Sequence, residues 1–492
     1  MTPPDIATLG ALKKSGYRPR GIRDELRQNL IEALREGREV FAGIHGYQHS
    51  VIPDVQRALL SRHHINLLGL RGQAKTRLAR SMVGLLDEWV PYLTCTELRE
   101  DPLQPISNRA KAYVAEHGDL AEVRWMHREE RYFEKLATPD VSVADLIGDV
   151  DPIKAANLKL SYSDERVIHF GMIPRAHRCV FVINELPDLQ PRIQVALFNI
   201  LQEGDIQIRG FQLRLPIDVQ FVFTANPEDY TNRGSIVTPL KDRIGSQIMT
   251  HYPEDLETAS LITQQEARIA PGLREAIDLP EMAATLLEQI GFEARESEYV
   301  DPKSGVSARL SVSALENLYS TAERRMLLNG ETHTCIRLSD FAGVVPSIVG
   351  KVELVYEGEQ EGAHSVAEHL LGAAIKRLLP RYFPAMEKLK QSDPNNPYLG
   401  LINAFGEGLR LDLFYDSSDA DYRKALEAHR PLLDFARNHS GKIDSNGFYF
   451  AMEFVLWALS EHARINRDKL VLGLRYSDLY AGLFSEQAEN DE

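Results

Sequence analysis

The chain of 492 residues has only three cysteines, Cys95, Cys179 and Cys335, scattered without metal spacing. This excludes a disulfide or cysteine-metal framework, and the three are expected to be buried, reduced thiols. Long apolar runs are also missing. The longest, Phe448 to Leu459, is interrupted by Glu453 and is too short to span a bilayer, so it reads as a buried helix. The first residues, MTPPDIATLGALKKSG, lack the continuous apolar stretch of a signal peptide, so a cytoplasmic protein is expected. Positive charge is in deficit, with 56 Lys and Arg against 71 Asp and Glu and a net charge of −15. That balance, with no basic stripe interleaved with aromatics, argues against nucleic-acid binding as the main activity. No internal repeat or low-complexity tract occurs. His45 and His49 stand four apart and His63-His64 precede the first strand, but no acidic or cysteine partner sits at ligand spacing. Loop or surface histidines are therefore expected there rather than a metal site.

What is present is an ordinary globular composition, 43% hydrophobic and 26% charged, long enough for two to four domains. Its most informative segment is Gly-Leu-Arg-Gly-Gln-Ala-Lys-Thr at 69–76, between a short apolar strand, Ile65 to Leu68, and an amphipathic helix. This is a P-loop, and it predicts binding of ATP or GTP. Gly69 and Gly72 permit a tight turn that aims backbone N–H groups inward; Lys75 reaches the terminal phosphates, and the Thr76 hydroxyl can ligate Mg²⁺. The following helix adds its positive end, and Leu78, Met82, Leu85 and Leu86 recur at the spacing of one buried face. Ala74 stands where the common pattern has glycine, which requires a negative φ if its methyl group is to be tolerated.

Along the chain, 22–36 reads as an amphipathic helix stopping at Gly37, with Ile44-His45-Gly46-Tyr47 leading to a second helix near 53–61. Pro91 to Cys95 reads as the second strand, and the polar stretch 97–140 as a surface insertion. Cys179 to Ile183 is an apolar run of the kind found in a parallel strand covered on both faces. A helix over 193–201, a hairpin over 206–215 turning at Gly210-Phe211, a strand Val219 to Phe223 and a short strand near 247–250 follow. Strands alternating with helices predict a parallel α/β sheet. Helical periodicity then takes over at 254–269, 280–291, 311–328 and 337–356, with a further helical region over 362–492.

Polar residues at the strand ends complete a nucleotide site. Val180 to Glu185 has the form of a strand carrying a metal-side residue and then a glutamate that polarises the attacking water, which makes Glu185 the candidate base. The metal-side position holds Asn184 rather than aspartate, one negative charge fewer. Asn226 ends the next strand, where it could orient water. Arg243, in Pro239-Leu240-Lys241-Asp242-Arg243, could be donated to a neighbour's site, and Arg309, in Ser307-Ala308-Arg309, could contact phosphate from a helical lid.

These pieces resemble AAA+ ATPases over roughly residues 20–355, and specifically the helix-2-insert group containing MoxR ATPases and the ATPase subunit of magnesium chelatase. The loop at 69–76 looks like the MoxR form of Walker A, where alanine at that position is familiar. Asp145 to Asp151, Phe170 to Ile173 and Arg175 to Arg178 are similar to the group's second helix with its inserted loop, and 206–215 to the following hairpin, with Phe211 at its tip. The resemblance implies a five-stranded AAA+ α/β core (1–252), a helical lid (253–357) and a C-terminal all-α region (358–492). It implies ATP held by Gly69, Gly72, Gln73, Ala74, Lys75, Thr76 and Arg77, with Ile44, His45 and Gly46 near adenine. Thr76, Asn184 and Glu185 would serve Mg²⁺. Asn226 would be sensor 1, Arg243 the arginine finger and Arg309 sensor 2. It further implies hydrolysis, a homo-hexameric ring that remodels a protein client, and a von Willebrand factor A domain partner.

Three other functions fit parts of the chain. Asn184 motivates a nucleotide-gated scaffold that barely hydrolyses. Metal insertion into a tetrapyrrole fits the core but not the extra C-terminal region. Transcriptional activation of the enhancer-binding type lacks its Gly-Ala-Phe-Thr-Gly-Ala sequence and a helix-turn-helix.

Overall fold

The computed structural model describes residues 2–160, 164–208, 214–227, 235–303, 305–386, 396–439, 441, 443 and 445–479. The chain divides into two compact units, 1–251 and 252–492.

The first unit is built on a five-stranded parallel sheet. Its strands are β1 (Ile65–Leu68), β4 (Tyr132–Leu136), β7 (Cys179–Asn184), β10 (Val219–Ala225) and β11 (Ser246–Met249), in the order β11-β1-β10-β7-β4. Alternation along the strands explains why the runs are apolar throughout. Val180, Val182 and Val222 face one side with Ile65 and Leu67, against the helices Ile22–Glu36, Val51–Leu60 and Lys75–Ser81. Phe181, Ile183, Phe221 and Phe223 face the other, so both faces are covered. The first of those helices ends at Gly37, which takes the left-handed conformation (φ 65°) that closes a helix without a Cβ penalty.

Two expectations are corrected here. β2 (Trp89–Leu93) is not part of the parallel sheet; it pairs antiparallel with β3 (Val123–His127). The edge strand is instead β4, inside the stretch expected to be a surface insertion. Polar composition misleads at 97–140 because its charges are buried in pairs. Arg131 donates to both Glu25 carboxylate oxygens at 2.6 and 2.7 Å, Arg178 lies 3.2 Å from Asp101, and Glu100 accepts from the Ser107 hydroxyl at 2.6 Å.

In and between the segments 145–151 and 170–178, expected to form the second helix and its inserted loop, β5 (Gly148–Val150) pairs with β6 (Ile168–Phe170), and the helix Pro152–Leu158 lies between them in the chain. The expected helix over 193–201 is two short helices, Pro191–Ala196 and Phe198–Glu203. β8 (Asp205–Gln207) and β9 (Arg214–Pro216) are the paired limbs of the expected hairpin; Gly210 and Phe211 lie outside the described residues. Of the thiols, Cys179 is buried while Cys95 and Cys335 are half-buried, and all three are free. His64 is also buried, contrary to the surface reading. It accepts from the Phe221 N–H at 3.2 Å, and burial holds its pKa down at about 3.

The second unit packs helices from both 253–357 and 358–492 around one hydrophobic cluster, which includes Leu310, Leu315, Leu371 and Phe454. The C-terminal region is helical as expected but not purely so. After β12 (Ile277–Asp278) and β13 (Thr334–Cys335), the strands β14 (Leu411–Phe414), β15 (Asn466–Leu470) and β16 (Gly473–Ser477) form an antiparallel sheet. Leu411-Asp412-Leu413 and Leu474-Arg475-Tyr476 alternate buried and half-buried residues, but over only three positions each, and the polar β15 shows no such period. Phe448–Glu461 is the expected buried helix. Among the described residues no helix is long and apolar enough to cross a membrane.

Candidate nucleotide-binding site

The phosphate loop starts where β1 leaves the sheet. A Cβ on Gly69 would collide with the Thr250 hydroxyl and Gln73 Oε1, so any larger residue there would have to displace the Gln73–Thr250 hydrogen bond. Gly72 has φ 73°. Ala74 corrects the negative-φ expectation: it is left-handed, with φ 53° and ψ 18°. The loop turns inward by placing residues in this conformation just before the helix, and the requirement holds whichever side chain occupies the position.

Gln73 anchors the loop to its surroundings. Its Oε1 accepts from the Thr250 hydroxyl at 2.7 Å, and its carbonyl oxygen lies 3.0 Å from the Tyr47 hydroxyl. Tyr47 is also 2.8 Å from the His251 carbonyl oxygen, and Ser50 Oγ lies 2.7 Å from His251 Nε2. Tyr47 thus brings the segment Ile44, His45 and Gly46 to the loop. Ile44 is buried, His45 is half-buried, and Gly46 has φ 80°.

Lys75 Nζ donates to the Leu70 carbonyl and to Asn226 Oδ1, each at 2.8 Å, and also contacts the Gly69 carbonyl. Asn226 follows directly on β10, the neighbour of β1, so the parallel register of Leu68 with Ala225 puts it beside the loop. On the other side of β10, the Thr76 hydroxyl donates to Asn184 Oδ1 at 3.4 Å. Thr224 donates to the same oxygen at 3.1 Å and accepts from the Glu185 N–H at 3.1 Å. Glu185 leaves the strand with φ 57°, a left-handed turn at the strand end. Four of the residues expected from sequence are therefore hydrogen-bonded in two pairs, Lys75 with Asn226 and Thr76 with Asn184.

Asn184 has a further partner that sequence reasoning missed. Its Nδ2 donates to Glu134 Oε1 on β4 at 2.5 Å. Glu134 also accepts from Tyr132 at 3.0 Å and from Arg80 at 3.4 Å. Burial, reinforced by the Glu134 carboxylate, pushes the Tyr132 phenol well up from its ordinary value. Nothing in Tyr-Phe-Glu-Lys-Leu distinguishes Glu134 from a solvated charge; only the strand order brings it to Asn184. Thr76, Asn184 and Glu185 carry the hard oxygen donors that suit Mg²⁺ when phosphates supply the remaining ligands, while both Glu134 oxygens are engaged by Asn184, Tyr132 and Arg80.

Arg243 ends the helix Thr238–Arg243, where it donates to Gln202 Oε1 at 3.0 Å and to the Pro239 carbonyl at 2.7 Å, with its guanidinium 5.0 Å from the Phe198 ring centre. Arg309 belongs to the second unit. It is exposed, opens the helix Arg309–Leu328, and its N–H donates to Ser307 Oγ at 3.1 Å.

A parallel five-stranded sheet with a phosphate loop after its second strand in spatial order, and polar residues at the ends of the strands beside it, is the AAA+ P-loop fold. Residues 110–244 match the family of the AAA domain (dynein-related subfamily), a segment that contains Asn184, Glu185, Asn226 and Arg243 but begins after the phosphate loop. A curated relative, the hydrogenase transcriptional regulatory protein HoxA of Cupriavidus necator, is 29% identical over 128 residues, which cover 25% of this chain and 23% of that protein. The chain thus matches about a quarter of that relative's length. Among solved structures, the BchI–BchD complex of magnesium chelatase matches with 18% identity and a TM-score of 0.35, covering 65% of this chain and 98% of the other. NtrX from Brucella abortus in complex with ADP matches with 12% identity and a TM-score of 0.36, covering 75% and 67%.

Proposed function

We propose that the chain is a Mg²⁺-dependent, ATP-binding AAA+ ATPase of the MoxR and magnesium-chelatase-like type, working as a ring that remodels or activates a protein partner. The observation that carries this reading is the placement of Lys75 between the Leu70 carbonyl and Asn226, with Thr76 bonded to Asn184 across the same loop. In it, Lys75 and the loop N–H groups hold the phosphates, Thr76 and Asn184 serve the metal side, Glu185 is the base and Asn226 orients the water. Mg²⁺, when bound, neutralises charge on the phosphates. Arg243 acts on the neighbour's nucleotide, which calls for a homo-hexamer, and Arg309 acts from the lid. Gln73, Ala74, Arg77 and the segment Ile44, His45 and Gly46 complete the nucleotide pocket. A von Willebrand factor A domain protein is the proposed partner.

The test is binding of a fluorescent ATP analogue, phosphate release, and molar mass in solution with and without ATP. Lys75→Ala should abolish all nucleotide effects. A Lys75→Ala chain that binds like wild type would sink the reading.

Asn184 favours a second reading, a nucleotide-gated scaffold with little turnover. It wins if ATP drives assembly while wild type hydrolyses no faster than Glu185→Gln. Enhancer-type transcriptional activation stays disfavoured, because the match to HoxA is confined to 128 residues and the Gly-Ala-Phe-Thr-Gly-Ala sequence does not occur.

A further inference from the structure

We propose that Glu134 supplies the negative charge that Asn184 lacks, acting through the Asn184 amide as a positioning residue for the divalent cation that accompanies the nucleotide. This inference rests on the nucleotide-binding reading above and names an anionic residue on a different strand for that site.

The argument starts from hydrogen-bond direction. Asn184 Oδ1 faces two hydroxyls, Thr76 at 3.4 Å and Thr224 at 3.1 Å, while Nδ2 faces a carboxylate oxygen at 2.5 Å. A carboxylate can only accept, so the amide nitrogen must point to Glu134 and the oxygen to the hydroxyls. Thr224 accepts from the Glu185 N–H, which directs its own proton to Asn184. The donor sense along Thr76, Asn184 and Glu134 is therefore fixed throughout.

Charge is what this arrangement adds. An amide has none, but a charge-assisted bond from Nδ2 to a carboxylate polarises it and makes Oδ1 the stronger acceptor. The sheet explains the reach. Glu134 is in register with Val182 and Leu136 with Asn184, so Glu134 and Asn184 lie on adjacent strands two residues apart in register and share one sheet face. That face also packs the helix beginning at Lys75. Glu134 is held from behind by the Tyr132 hydroxyl at 3.0 Å and by Arg80, whose guanidinium lies 4.4 Å from the Tyr132 ring centre. The Arg80 side chain is 64% exposed against 30% for Glu134, so solvent screens the arginine's charge more than the carboxylate's.

The test titrates Mg²⁺ against binding of a fluorescent ATP analogue to the full chain, with parallel binding in EDTA and a melting curve for each variant. Glu134→Gln should raise the Mg²⁺ needed for half-maximal binding by about 10–100-fold and leave binding in EDTA unchanged. The charge swap Asn184→Asp with Glu134→Gln, which moves the carboxylate one strand inward, should bring the Mg²⁺ requirement back toward wild type. An unaltered requirement in Glu134→Gln overturns the proposal, as does a loss that the swap fails to rescue while both variants melt as wild type. Wild type that binds no nucleotide at all would instead overturn the nucleotide reading, and this proposal with it.

Discussion

Arg131 and Glu25 form a bidentate ion pair, with both side chains almost fully buried, that joins the edge strand of the sheet to the first core helix. Arg131 also donates to the Arg178 carbonyl at 2.9 Å, so its guanidinium is saturated on three sides. Removing one partner strands a buried charge, which typically costs about 3–5 kcal/mol. Glu25→Gln should lower unfolding free energy by that order in urea titrations. The double variant Glu25→Leu with Arg131→Met should recover most of it, since no charge is then left unpaired.

Ala74 tests the loop's backbone rather than its side chains. A left-handed conformation costs a residue with a β-carbon about 1–2 kcal/mol, against the roughly 0.5–1 kcal/mol that glycine loses through unfolded-chain freedom. Ala74→Gly should therefore be neutral or stabilising by about 1 kcal/mol or less, with ATP-analogue affinity retained. A clear loss of stability would show that the methyl group has contacts outweighing the strain.

Arg243 is held by Gln202 and the Pro239 carbonyl of its own unit. If it completes a neighbouring site, Arg243→Ala should lower phosphate release by on the order of 10³-fold and leave nucleotide binding intact. Mixing it with Lys75→Ala chains should restore some turnover, because each variant keeps what the other lacks. No restoration in mixed assemblies would place the arginine's effect within its own subunit.

Glu453 sits fully buried in the helix Phe448–Glu461, where burial raises its pKa to about 7 despite the Tyr422 hydroxyl donating to it at 2.8 Å. Among the described residues, its Oε1 is a buried atom with no hydrogen-bond partner, and the Ser339 backbone and Tyr422 hydroxyl only partly offset the burial. The folded state thus holds a proton that the unfolded state releases near the ordinary glutamate value of 4.5. Between those two values stability falls as pH rises, and above about 7 the penalty is complete, roughly 3 kcal/mol. Glu453→Gln should be more stable than wild type at pH 8, and the difference should shrink below pH 5. Urea unfolding at both pH values checks it; a gap that does not change with pH would refute it.

Legibility from sequence followed the range of the interactions. The loop at 69–76 was readable because its glycines, Lys75 and Thr76 stand at fixed spacing between a strand and a helix, although its partners Asn184, Asn226 and Thr250 lie far along the chain; the helix ending at Gly37 was readable because its cap is local. Phe448–Glu461 was readable because an apolar run of that length has few alternatives. The edge strand β4 was not, since the polarity of 97–140 hides burial when charges pair with Glu25, Asp101 and Ser107 from distant or folded-back segments. Strands β14 to β16 escaped for a related reason: an alternation only three residues long, as in Leu411-Asp412-Leu413 and Leu474-Arg475-Tyr476, declares itself only through its partners.

Sequence alone marked the glycine-rich loop at 69–76 and apolar strands over 179–183 and 219–223, which the structure extends to Cys179–Asn184 and Val219–Ala225, and singled out Lys75, Thr76, Asn184, Glu185 and Asn226 as candidates, because spacing along the chain carries that information. Tertiary structure decided which strand lies next to Cys179–Asn184, and with it that the Asn184 amide meets a carboxylate from Glu134, fifty positions upstream. The left-handed turn at Ala74 was likewise settled by the shape of the loop and not by the residue's own preference. The reason is the same in both cases: hydrogen-bond partners and backbone angles follow from packing between segments, which no local pattern encodes.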